Sequence, residues 1–131
     1  MQLRRWIVYL IFMLVPFTLQ AAQVEVVAVE MEQAGASWTI RVTLRHADAG
    51  WDHYADAWRL VDASGKVLGT RVLHHPHVNE QPFTRSLSGV QIPGKLTKVY
   101  VEAHDKVHGW SKDRVKVDMQ TDKGKRYQLK R

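Results

Sequence analysis

Seven histidines carry most of the chemistry open to this chain, and three of them, His74, His75 and His77, crowd into LHHPHVNEQPF, residues 73–83. Pro76 biases His75 toward an extended backbone. Alternate side chains of an extended segment share a side, so His75 and His77 are expected to converge on one ion while His74 points away. His46, His53, His104 and His108 are the candidates to complete the set. Neutral imidazole suits Zn(II), Cu(II) and Ni(II). Asp48, Asp52, Glu80 and Asp105 supply oxygen ligands or orienting acceptors beside them. Cu(I) fits less well, because the methionines beyond the N-terminal segment, Met31 and Met119, lie away from these stretches.

Two other uses of the same residues compete with a metal site. Histidine, Asp and Asn in long loops also satisfy buried backbone groups, which would make the cluster a hydrogen-bonded cap. Trp51 and Trp110, with Asp52, Asn79, Glu80 and Asp105 nearby in sequence, could instead contact a ligand or partner of a structural or adhesive module. Catalysis finds no such constellation. There is no Gly-x-Ser-x-Gly elbow and no cysteine. Ser86 and Ser88 sit in a strand-like stretch with no base assigned to them, and the adjacency of His104 and Asp105 does not make a dyad. The chain is read as a binding module rather than an enzyme.

The elements that would position these residues have period two. In SWTIRVTLRH, Trp38, Ile40, Val42 and Leu44 alternate with polar residues, the pattern of a half-buried strand. Strands are likewise predicted over 23–31, 54–62, 66–73, 83–92, 98–104 and 114–119, with a Ser-Gly turn joining the third to the fourth. Seven short strands with frequent turns predict an all-β, antiparallel sandwich of immunoglobulin or fibronectin III type, with Trp38 and Trp58 buried. If chain direction alternates, the second, fourth and sixth strands end at one pole. The three loops there hold all seven histidines, and loops on a rigid scaffold are where binding resides.

The chain of 131 residues is long enough for one domain with a real core. Residues 1–22 look like a secretory signal: Arg4 and Arg5, an apolar run over 6–19, then small residues. Fourteen apolar residues fall short of the ~20 a spanning helix needs. No cleavage position after Ala21 or Ala22 has a small residue at −3, so a retained N-terminal anchor is the alternative. Without cysteine there is no disulfide, no thiolate site and no thiol for lipid attachment.

The net charge of +6 is unevenly placed. Of 19 basic and 13 acidic residues, two basic ones precede Gln23, and five basic and one acidic follow Met119. The domain at 23–119 is therefore neutral, which removes the basic face that nucleic-acid binding needs. The segment 120–131 is read as a flexible basic tail that would touch an anionic membrane surface or another envelope protein. It shows no apolar periodicity, so its deletion is expected to leave stability unchanged.

The stretches WDHYADAW, HPHVNEQPFTRSLSGV and AHDKVHGW, within residues 24–110, resemble an uncharacterised family of small exported bacterial proteins. The resemblance implies a periplasmic, immunoglobulin-like domain and carries no activity, ligand or catalytic residue.

Overall fold

The computed structural model describes Met13 and residues 23–131. The signal-like segment lies almost wholly outside the described residues. Nine strands follow in order: β1 (Glu25–Ala34), β2 (Ser37–Arg45), β3 (Ala55–Asp62), β4 (Val67–Val72), β5 (Phe83–Val90), β6 (Lys98–Asp105), β7 (Gly109–Asp118), β8 (Lys123–Gly124) and β9 (Tyr127–Lys130). The first seven overlap the predicted strands, but β7 begins at Gly109 instead of residue 114 and so carries Trp110, which the sequence reading assigned to a loop; β8 and β9 add to the predicted seven. One sheet has the order β5-β2-β1-β9-β8 and the other β4-β3-β6-β7. Pairing is antiparallel throughout except between β1 and β9, which run parallel. Among the described residues no helix is long and apolar enough to cross a membrane.

Alternation decides which side chains face inward. On β2, Trp38, Ile40, Val42 and Leu44 are buried while the residues between them are not. They meet Trp58 and Leu60 of β3, Val99, Val101 and Ala103 of β6, and Val115 and Val117 of β7 in one continuous core. Trp58 is fully buried and Trp38 nearly so, as the strand faces required. No cysteine staples the sheets, so this apolar layer holds them together.

The C-terminal segment corrects the sequence reading. Residues 120–131 are not a free tail. Their pattern, YQLK, alternates over only four residues, too short a stretch to register as periodic, yet Tyr127 and Leu129 are both buried in the core. β9 pairs with β1 from Val29↔Tyr127 to Glu32↔Lys130, and the Val29 amide donates to the Arg126 carbonyl at 2.8 Å. The tight return from β8 sets Gly124 flat against the Tyr127 ring; a Cβ there would lie 2.2 Å from it. Arg126 sits at φ 66°, in the left-handed region that L side chains rarely occupy. Its guanidinium is held on both oxygens of Asp113, at 2.9 and 3.0 Å, and on the Val26 carbonyl. That contact holds the Asp113 carboxyl below its ordinary range and raises Arg126. Lys130 pairs with Glu30 and Arg131 with Asp122. Three of the five basic residues of this segment are thus committed to ion pairs within the fold, which weakens the case for a basic arm directed at a lipid surface.

The domain therefore extends through Lys130, and the expectation that its end is dispensable is reversed. Leu129→Ala should cost about 2–4 kcal/mol, the usual loss for a buried Leu, and removal of residues 120–131 should cost at least as much. Urea denaturation monitored by tryptophan fluorescence measures both; a truncated chain as stable as the parent would contradict the buried role of β9.

Candidate metal centre at the histidine pole

The loops after β2, β4 and β6 meet at one end of the sandwich, and a single carboxylate joins two of them. Asp48, whose side chain is inaccessible to solvent, lies two residues beyond His46. Its Oδ1 accepts from His46 Nδ1 at 2.6 Å and from the Ala55 amide at 3.0 Å; its Oδ2 accepts from the His77 amide at 2.7 Å. Gln81 completes the link: its Oε1 takes the His46 amide at 2.9 Å and its Nε2 donates to the His77 carbonyl at 3.0 Å. Asp48 therefore fixes the end of β2, the start of β3 and the β4–β5 loop to one point.

This arrangement also fixes a tautomer. Asp48 already accepts two amides, so the proton on the 2.6 Å contact belongs to His46 Nδ1. In the neutral imidazole, Nε2 is then the nitrogen that carries the lone pair. It is buried, has no hydrogen-bonding partner, and faces Asp105 Oδ2 at 3.7 Å. His53 Nε2, equally buried and unpartnered, faces the other Asp105 oxygen at 3.6 Å. The two imidazoles meet edge to face with centroids 4.7 Å apart.

Asp105 ends β6 and is completely buried. Burial pushes its carboxyl up, but the His108 and Val107 amides and the His108 ring outweigh that and hold it below its ordinary range. Those contacts are 2.6 Å and 2.8 Å to Oδ1 from the amides, and 3.0 Å from His108 Nδ1 to Oδ2. The group remains an anion inside the protein.

His46, His53 and Asp105 thus form a cluster that could hold a metal ion, with one ligand atom from each within 4.8 Å of the others. Separations of 3.6–3.7 Å are too long for hydrogen bonds. They run to different oxygens of Asp105 and slightly exceed the edge of a tetrahedron, about 3.3–3.4 Å for metal–nitrogen bonds of about 2.0–2.1 Å. The Asp48–His46 contact is the carboxylate–histidine arrangement that orients imidazole ligands.

The remaining predicted residues fall in other places. His75 and His77 do not join this group. His77 is drawn inward by its amide bond to Asp48 and stacks on Phe83, centroids 4.1 Å apart and 12° from parallel. His75 is exposed and lies against His77 with centroids 4.6 Å apart and rings tilted by 40°, outside the group formed by His46, His53 and Asp105. His74 is exposed. His108 touches the centre through its bond to Asp105 and through its ring beside His53. His104 belongs to the outer face of the second sheet, with Nδ1 2.5 Å from Asp56 and Trp110 edge-on to its ring. Trp110 carries the Arg59 guanidinium at 3.7 Å, so one face of its indole is covered. Trp51 is exposed over the edge of Tyr54. Asp52 and Asn79 are exposed, and Glu80 pairs with Arg85. Sequence reasoning missed Asp56 and Gln81, whose partners come near only through strand pairing and loop docking.

No family model matches the chain. A protein of Halomicrobium mukohataei named "Putative lipoprotein" is 38% identical over 104 residues, covering 79% of this chain and 51% of that protein. The chain spans about half the length of this relative. Among solved structures, a superoxide reductase from Giardia intestinalis overlaps 72% of this chain and 99% of its own, at 20% identity and a TM-score of 0.45. An overlap that loose does not bear on the site.

Burial, reinforced by Arg85 and His75, lowers the His77 pKa from 6.5. The unfolded chain then binds a proton that the folded one refuses, so stability is complete above pH 6.5 and declines as pH falls toward the lowered value. His77→Phe keeps the stack on Phe83 and the amide bond to Asp48 while removing the titrating ring. Urea midpoints followed from pH 7 to about pH 5 should decline less steeply in this variant than in the parent. Parallel profiles would show that His77 contributes nothing to acid sensitivity.

Proposed function

We propose that this protein is an exported, immunoglobulin-like β-sandwich that binds one divalent transition-metal ion at its histidine pole, through His46 Nε2, His53 Nε2 and Asp105. One observation carries the reading. The buried Nε2 of His46, its tautomer set by Asp48, faces a buried carboxylate oxygen at 3.7 Å, beyond hydrogen-bonding distance. With the imidazole neutral, Nε2 and the carboxylate are two acceptors that repel in a low-dielectric interior unless a cation sits between them. Two imidazoles and a carboxylate are borderline donors, which suits Zn(II), Cu(II) or Ni(II). Export is supported by the basic and apolar start of the chain and by the lipoprotein name of the Halomicrobium relative.

A second reading, contact with another macromolecule, rests on the loop tips. Trp51, Val78 and Val107 are each exposed by more than half, and each lies on a different one of the three loops. The two readings separate on metal content.

Protein purified without a histidine tag should contain or take up one equivalent of metal by elemental analysis and calorimetry. A ligand that binds only the folded state at a hundredfold excess over Kd stabilises it by about 2.7 kcal/mol, so the melting temperature should rise with added metal. His53→Gln should abolish that rise with little change in the metal-free protein, because His53 Nε2 has no protein partner to lose. His75→Ala should keep it. A parent protein that neither binds Zn(II), Cu(II) or Ni(II) stoichiometrically nor gains stability from them would leave partner contact as the reading.

A further inference from the structure

The proposed centre is unevenly enclosed. The side chains of His46 and Asp105 are 1% exposed, whereas those of His53 and His108 are 20% and 25% exposed. The side of the centre nearest solvent is therefore the one formed by these two imidazoles, whose centroids are 5.3 Å apart. The protein supplies three donors there, and a tetrahedral ion requires a fourth. The fourth cannot come from Asp48, whose oxygens are occupied by His46, Ala55 and His77. His108 bonds Asp105 through Nδ1 and does not belong to the group of donor atoms that lie within 4.8 Å of one another. Three-donor sites with an open position bind exchangeable ligands, whereas structural sites are closed by a fourth side chain.

From this asymmetry, and resting on the metal reading above, we infer that the ion takes its remaining ligand from solvent at the His53–His108 rim, and that this position exchanges water for a small monodentate anion. Size and charge set the ligand class. With His46 Nε2 and His53 Nε2 both buried, only a species of a few atoms fits beside them. A divalent ion with one carboxylate ligand keeps a net positive charge, which favours an anion over a neutral molecule. His108 is a positioning residue: through Nδ1 it holds the Asp105 carboxylate in place, while its ring forms one side of the opening.

Co(II), a spectroscopic stand-in for a colourless divalent ion, tests this with sodium azide as the probe. Titrating the full protein with Co(II) should give a visible band that saturates at one equivalent, and azide should then shift that band saturably. His108→Phe should keep the one-to-one Co(II) stoichiometry while changing the azide dissociation constant several-fold. His75→Ala should leave both unchanged, since His75 lies outside the centre. A saturable Co(II) band that azide does not move would overturn the open position and leave the metal reading intact. No saturable band, together with flat calorimetry for Zn(II), would overturn both. An azide constant unaffected by His108→Phe would remove His108 from the rim.

Discussion

The pole of this sandwich depends on one buried carboxylate. Asp48 has no exposed side-chain surface, yet it is not a source of instability, because each oxygen has donors supplied by a different part of the chain. An anion in such a place is tolerated only when its hydrogen bonds are complete. The consequence runs both ways. The loops must sit where they do to satisfy Asp48, and Asp48 in turn sets the orientation and tautomer of His46. Gln81 repeats the logic on a smaller scale by satisfying one backbone group on each of two loops. A polar network of this kind determines geometry more than it adds net stability.

Stability comes from the apolar layer behind the pole. Inward-facing residues of both sheets pack into one cluster, and β9 adds Tyr127 and Leu129 to it. The parallel docking of β9 beside β1 separates β1 from solvent and extends the first sheet to five strands. Arg126 fastens the turn that makes this possible by reaching Asp113 of β7, in the opposite sheet. The strained backbone at Arg126 is thus offset by charged hydrogen bonds on both oxygens of one carboxylate.

The two supports meet in the candidate centre. His46 follows a strand of the first sheet, and Asp105 ends a strand of the second. An ion between them would join the two layers at the end where the apolar core gives way to polar loops. The contrast with His104 and Asp56 is instructive. That pair also combines a histidine and a carboxylate, but it stands on the outer sheet face with its hydrogen bond complete and the Trp110–Arg59 stack alongside. That pair is satisfied, whereas His46 Nε2 and His53 Nε2 at the pole have no hydrogen-bond partner in the protein.

The sequence by itself determined the strands and their faces, because a strand with one wet side must alternate, and that alternation is written in the residues from Trp38 to Leu44 and repeated in the other long strands. It also placed the loops after β2, β4 and β6 at one end, since alternating chain direction follows from antiparallel pairing, although His104 belongs to β6 itself and not to a loop. It could not show β9, where four residues are too few to display a period and where Tyr127 and Leu129 become core only because β1 offers a free edge. Nor could it choose among the histidines. Local backbone geometry favoured His75 with His77, but stacking on Phe83 and the amide bond to Asp48 placed His77 elsewhere. The trio of His46, His53 and Asp105 was decided by the tertiary structure, because its members lie up to 59 positions apart in the chain and are brought into register by the packing of two sheets.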